Sequence, residues 1–299
     1  MSLEEKQLEV PGGSLIWREM RRKVTILGIK GNMTRLEVPG EIEGFPVTEI
    51  YKKAFFNCRY LRFVSLPGTL EEIGGWAFAH CPQLIRVEIP CKPMRMGRDP
   101  FIGSDALREI ALVPQKADTA AMLAMAATKM EDPHLFNIEE AGTSDWMKRW
   151  DARMLVLLRE TDSVGFEKQI LAGEEDCVST DFERFTREKR RAKVRFAFLR
   201  LLHSDGLSDE VRKELEEYLR EHTKGCDTEE TWQVLLTEFG EEKEYYELFA
   251  KLGCVTQDNF DLILQDIREG LPEMKAYFMK YKEEHLGYTD FFDSLSLDF

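Results

Sequence analysis

Apolar positions over residues 50–114 recur every 23 residues. Ile50, Ala54, Phe55, Cys58, Leu61, Val64, Leu66 and Pro67 are matched by Ile73, Ala77, Phe78, Cys81, Leu84, Val87, Ile89 and Pro90. A third, worn copy holds Phe101, Leu107, Ile110, Leu112 and Pro114. A fixed period of this size predicts a solenoid, in which each coil buries its apolar residues against the next coil. The run that ends at each proline predicts a short strand: Leu61 to Leu66, Leu84 to Ile89, Leu107 to Leu112. Stacked in parallel, these make one narrow sheet, and proline ends each strand because it has no N–H for the ladder. Phe55, Phe78 and Phe101 are expected in one buried column, with Cys58 and Cys81 in the neighbouring one. Upstream, Val24-Thr25-Ile26 and Leu36-Glu37-Val38 alternate as strands do, between turns at Gly12-Gly13, Gly31-Asn32 and Pro39-Gly40.

From residue 117 the pattern changes to that of helices. An Ala/Met-rich helix is expected from Asp118 to about Lys129, ahead of Pro133, and another from Trp146 to about Arg159. Further helices are expected over 164–171, 181–202, 208–222, 228–239, 242–252, 256–269 and 272–285, with Ser208, Thr228 and Thr256 as N-caps. A weaker repeat appears here. Gly225-Cys226, Thr228, Trp232 and Leu235-Leu236 return 28 residues later as Gly253-Cys254, Thr256, Phe260 and Ile263-Leu264. Each copy reads as two helices joined at a glycine turn, and a helical bundle is the alternative to a helical repeat.

Two resemblances follow from these residues. The 23-residue set, led in by Gly44-Phe45-Pro46-Val47-Thr48-Glu49-Ile50, resembles the BspA-like leucine-rich repeats of bacteria. That likeness implies a β-solenoid, and members of the family are often surface proteins that bind host or matrix proteins. The 28-residue helix pair, continued by Glu269-Gly270, Glu273-Met274 and Ala276-Tyr277-Phe278, is similar to the second half of an ankyrin repeat. The expected fold is α+β: a short leucine-rich-repeat β-solenoid over 1–115, a connector helix and linker over 116–145, and an all-α helical repeat (ankyrin-like) or bundle domain over 146–299.

Charge sharpens this division. The 299 residues carry a net charge of −14. Residues 1–114 hold 16 Lys/Arg and 14 Asp/Glu, whereas the remainder holds 25 and 41. An acidic C-terminal part argues against nucleic acid, because phosphate contacts need a positive field. No apolar run approaches the ~20 residues of a membrane span, and the start has no secretory pattern, so a cytoplasmic location is expected. The six cysteines, Cys58, Cys81, Cys91, Cys177, Cys226 and Cys254, follow packing periods and are expected as free thiols.

Candidate chemistry is sparse. The sequence holds no Gly-rich phosphate loop, nucleophile elbow or His-Glu-x-x-His, so no enzymatic activity, cofactor or metal is expected. His80-Cys81 with Cys91 fits no common zinc spacing. Binding surfaces are more promising. On the repeat strands the side chains that face away from the core are Arg35 and Glu37, Phe63 and Ser65, Arg86 and Glu88, Glu109 and Ala111. Equivalent positions stack into ladders and form a ready contact face, with Phe63 apolar where packing asks for nothing apolar. The alternative is the basic helix 184–200. There Arg184, Arg187, Arg191 and Arg195 share one side, and Phe182, Phe185, Ala192, Phe196 and Leu199 make the core stripe. The sequence thus reads as a non-enzymatic protein–protein interaction scaffold of a bacterium, its protein partner unidentified. The alternatives are a nucleic-acid-associated protein using the basic helix, or a surface adhesin whose export signal has been removed.

Overall fold

The computed structural model describes residues 4–114, 119–130, 132, 134–166, 182–267 and 269–287. The chain divides into two compact units, Met1–Leu157 and Leu158–Phe299. Most of the helix expected from Trp146 to about Arg159 falls in the first of these units. The reason lies in two tryptophans. Trp146 and Trp150 are buried, and their indole N–H groups donate to Leu135 O (2.9 Å) and Met122 O (3.3 Å), which ties their helix to the first unit.

The strands of the first unit are β1 (Lys6–Val10), β2 (Gly13–Met20), β3 (Lys23–Gly31), β4 (Arg35–Glu37), β5 (Glu41–Ile42), β6 (Phe45–Ile50), β7 (Phe63–Ser65), β8 (Glu72–Ile73), β9 (Arg86–Pro90), β10 (Arg95–Met96) and β11 (Glu109–Val113). β1, β2 and β3 form an antiparallel meander. Arg21 (φ 56°) and Arg22 (φ 64°) turn the second hairpin in the left-handed pair that a two-residue loop needs. From β3 onward each coil supplies two strands. One parallel sheet runs β11-β9-β7-β4, as the repeat predicts. The other joins β3, β6, β8 and β10, also in parallel, and β5 pairs antiparallel with β6. The single expected sheet is thus one of two. Strands such as Glu72–Ile73 and Arg95–Met96 are two residues long, too short to show an alternation.

Between the sheets lies the expected core. Phe55 stacks on Phe78 (4.8 Å between ring centroids, 19° between planes) and Phe78 on Phe101 (5.3 Å, 9°), and all three are buried. Beside them runs a second column at the same 23-residue step: Cys58, Cys81 and Ser104. Cys81 Sγ donates to Phe55 O at 3.0 Å. In the next coil Ser104 Oγ donates to Phe78 O (2.7 Å) and accepts from Cys81 N (3.0 Å). A hydroxyl replaces the thiol with the same backbone partner, which is why an apolar pattern overlooks it. The bond to Cys81, together with burial, pushes the Cys58 thiol well above its usual range. Helix α1 (Ala120–Thr128) packs on β11, and Phe136 meets Phe101 edge-on at 5.6 Å, so the last coil is covered. Helix α2 (Ser144–Arg159) follows.

The second unit holds α3 (Phe182–Leu202), α4 (Asp209–Glu221), α5 (Glu230–Glu238), α6 (Lys243–Lys251), α7 (Gln257–Asp266) and α8 (Pro272–Tyr281), which runs into one π-helical turn, Lys282–Leu286. Ser208 caps α4 by accepting from Val211 N, and Thr256 caps α7 in a reciprocal box with Asn259. Thr228 does not cap α5. The N-cap is Glu229, whose carboxylate instead accepts from Gly225 N at 3.0 Å. The 28-residue repeat is visible in packing. Trp232 and Phe260, and Leu235 and Ile263, are buried at equivalent places. Trp232 Nε1 donates to Asp266 Oδ2 (2.8 Å), joining α5 to α7, and the rings of Tyr246 and Tyr277 join α6 to α8 at 5.2 Å. Phe182, expected in the core stripe of α3, is exposed at the helix start, whereas Phe196 and Leu199 are buried. Asp118, Cys177, most of the helix expected over 164–171, and the C-terminal stretch from Tyr288 lie outside the described residues.

Candidate functional site

The outward face of the first sheet is built by register. Arg35, Phe63, Arg86 and Glu109 are paired in sequence across β4, β7, β9 and β11. Glu37, Ser65, Glu88 and Ala111 form the parallel row two residues on. Neighbouring members stand about 4.8 Å apart, so each row is a continuous ladder. The alternating residues Leu36, Val64, Val87 and Ile110 point inward and are buried, which fixes the register.

The two halves of this face differ in how their arginines are engaged. Arg86 is clasped: its guanidinium bonds to Glu109 on the next strand and to Glu88 on its own strand (3.2 Å). Its guanidinium is therefore engaged within the face. Arg35 is exposed, and its guanidinium lies 4.9 Å from the centroid of Phe63. Arg62 approaches the same ring at 5.7 Å. Phe63 is therefore a half-buried aromatic with two guanidiniums within cation–π reach of its ring, an arrangement that stiffens a contact residue. A depression of about 120 Å³ lies among Arg35, Phe63, Ser65, Arg86 and Glu88. Sequence reasoning misses Arg62 because it falls on the inward step of the expected run Leu61 to Leu66, whereas the observed strand begins only at Phe63.

The basic helix is resolved differently. Arg195 and Arg191 both bind Glu238, at 2.6 and 2.9 Å. Burial alone would raise the Glu238 carboxyl, but these two guanidiniums override it and hold it below the usual range. Arg190 reaches Glu230 at 2.7 Å, and the buried Lys193 reaches Asp162 at 2.8 Å. Buried Arg200 donates to the carbonyls of His203 and Asp205. Most of this stretch therefore ties α3 to its acidic neighbours. Arg184 and Arg187 remain exposed, beside a recess of about 360 Å³ lined also by Glu188, Arg191, Glu229, Glu230 and Gln233. The four arginines are not one open stripe, because Arg191 and Arg195 are engaged.

His80, Cys81 and Cys91 are not drawn together as ligands. His80 is exposed on a turn, and Cys81 is in the core. Among the described residues no three His, Cys, Asp or Glu side chains are grouped to hold a metal ion. No helix among them is long and apolar enough to cross a membrane.

Residues 32–141 match the family described as BspA type Leucine rich repeat region, in six copies. This stretch is a BspA-type leucine-rich repeat region, and leucine-rich repeat solenoids generally serve protein–protein interaction or surface adhesion. Solved structures similar to the chain include a leucine rich cell surface protein of Faecalibacterium prausnitzii, 26% identical, covering 38% of this chain and 31% of that one at a TM-score of 0.29. A leucine-rich repeat protein of Bacteroides ovatus is 22% identical, with 35% and 29% covered and a TM-score of 0.27. One from Bacteroides capillosus is 22% identical, with 38% and 91% covered and a TM-score of 0.31. The chain spans about a third of the length of the first two. No curated protein matches the chain. The family match ends before the helical unit, whose kinship with ankyrin repeats it does not extend to.

Proposed function

We propose that the protein is a non-enzymatic interaction scaffold of a bacterium, which grips a protein partner through the outward face of the β4-β7-β9-β11 sheet. The supporting observation is Phe63, an aromatic ring kept at a strand position that owes nothing to the core and flanked by the guanidiniums of Arg35 and Arg62 at 4.9 and 5.7 Å. Aromatic and Arg side chains dominate contact energetics, because each brings a large area or several donors to one place. Arg86, clasped by Glu88 and Glu109, supplies an ordered rim with one carboxylate charge in excess; Glu37 and Ser65 supply acceptors. Within the helical unit, α5–α6 and α7–α8 read as two stacked helical hairpins of ankyrin-like kind, a second scaffold on the same chain.

We place the protein in a reducing compartment, the cytoplasm, because Cys58 and Cys81 serve the repeat packing as thiols, Cys81 donating to Phe55 O. A photo-crosslinking residue installed at Ser65 tests the face. It should capture a defined partner in the native host, whereas the same residue at Arg95, on the opposite sheet, should not. Equal capture at both positions would defeat the assignment.

A further inference from the structure

A second surface runs along the turns that link the strands. Successive coils place Lys53, Trp76 and Asp99 at one turn position, with φ of 61°, 59° and 47°. They place Asn57, His80 and Gly103 at another, with φ of 57°, 56° and 70°. Left-handed backbone suits Gly or Asn and crowds any bulky side chain. A tryptophan nonetheless stands at one of these positions, and its ring is not buried. Trp76 is 39% exposed, Phe56 40% and Ile102 41%. Phe56 and Ile102 occupy one repeat position two coils apart, with Ala79 between them. Tyr60 adds a further half-exposed ring.

These side chains are held in a fixed array. Lys53 Nζ lies 4.8 Å from the Trp76 ring and 5.5 Å from the Phe56 ring. Phe56 meets His80 edge-on at 5.5 Å. His80 rests on Gly103, where a β-carbon would come within 2.5 Å of Nδ1. Each of Trp76, Phe56 and Ile102 leaves about two fifths of its surface in water, apolar area that an isolated chain has no use for. Its charge is one-sided. From Tyr51 to Leu70 the chain carries Lys52, Lys53, Arg59 and Arg62 and no Asp or Glu. Asp99, the acid at the equivalent turn position of the third coil, is already bound to Arg98 at 3.0 Å.

We propose that this turn ridge docks an acidic peptide segment bearing aromatic or aliphatic side chains, with Trp76 and Phe56 as anchors and Lys52, Lys53 and Arg59 receiving its carboxylates. Charge complementarity selects an acidic occupant. The state of the rings selects a peptide over single-stranded nucleic acid. Bases need open ring faces to stack on, whereas Lys53 sits over Trp76 and Phe56, and His80 lies between Phe56 and Gly103. Apolar side chains need only exposed hydrocarbon between the rings. The ridge lies at turn positions, apart from the strand positions of the face assigned above, so the two surfaces are separable by substitution.

Fluorescence reads this surface selectively. Of the five tryptophans, Trp17 is 1% exposed and Trp146, Trp150 and Trp232 are 0% exposed, so iodide quenches Trp76 alone. The full chain is titrated with a glutamate–tyrosine copolymer, with polyglutamate and with a thymidine oligonucleotide, with excitation selective for tryptophan. The copolymer should shift Trp76 emission to the blue and shield it from iodide, at least about tenfold more tightly than polyglutamate. The oligonucleotide should not bind. Lys53→Ser with Phe56→Ser should weaken the copolymer by about tenfold or more at unchanged Tm. Trp76→Asn, read by anisotropy of labelled copolymer, should lose binding equally while Tm holds or rises, since Asn accepts left-handed backbone. Phe63→Ser should leave the copolymer affinity unaltered. Copolymer no tighter than polyglutamate, tighter oligonucleotide binding, or full binding by Trp76→Asn would each overturn the proposal.

Discussion

The ring of Phe78 lies 5.3 Å from that of Phe101 and within 9° of parallel, on the far side from its stack with Phe55. Both faces of Phe78 are therefore covered by the same residue type from the coil on either side. Phe78→Ala should destabilise the first unit by about 3–5 kcal/mol, the cost of a large aromatic cavity that flanking coils cannot close. Denaturant unfolding measures it, and a loss under about 1 kcal/mol would contradict the column.

Ser104 offers a finer test. Ser104→Ala leaves Phe78 O and Cys81 N without their partner in a buried place, and should cost about 1–3 kcal/mol. Ser104→Cys should be far milder, because the preceding coils hold Cys58 and Cys81 at the same step. Equal losses in the two variants, compared by thermal melts, would rule out the shared column.

The acid limb of stability should depend on Glu238. Its folded carboxyl is held below its ordinary value by Arg195 and Arg191, so its stabilisation is full above the unfolded carboxylate value of 4.5 and fades as pH falls through the lower folded value. Glu238→Gln should flatten the loss of stability of the helical unit below about pH 4.5 and cost about 1–3 kcal/mol at neutral pH. An unchanged acid limb would show that the clasp does not hold in solution.

Thiol reactivity should sort by burial. Burial pushes the Cys254 thiol up to about 12, whereas Cys91 and Cys226 are partly exposed. Alkylation of the native protein at pH 8, followed by mass spectrometry, should label Cys91 and Cys226 well before Cys254. Early labelling of Cys254 would mean that the end of α6 opens readily.

Much of this architecture is legible in the sequence because one cause, the 23-residue step, sets many positions at once. Phe55, Phe78 and Phe101 repeat their spacing, and the row of Phe63, Arg86 and Glu109 on the face follows from the same count. What stayed hidden depends on single contacts. The second sheet rests on two-residue strands that no alternation marks. Ser104 keeps the hydrogen bond of Cys81 while losing its apolar character. Trp146 and Trp150 tie their helix to the first unit by donating to Leu135 and Met122, partners no periodicity names. On the site, pattern gave positions and not ion-pair partners. It could not foresee that Arg86 would close on Glu88 and Glu109 while Arg35 stayed free beside Phe63, nor that Glu238 would take up Arg191 and Arg195.

The most direct test of the sheet face is the affinity of the crosslinked partner, once purified, for three forms of the full chain in a surface-binding assay. Replacing Arg35 and Phe63 together by Ser should weaken binding by about 2 kcal/mol or more, roughly thirtyfold, with Tm nearly unchanged because neither side chain enters the core. Arg184→Gln with Arg187→Gln should bind as the unaltered protein does. Retained affinity in the first variant with loss in the second would contradict the account and move the site to the basic helix.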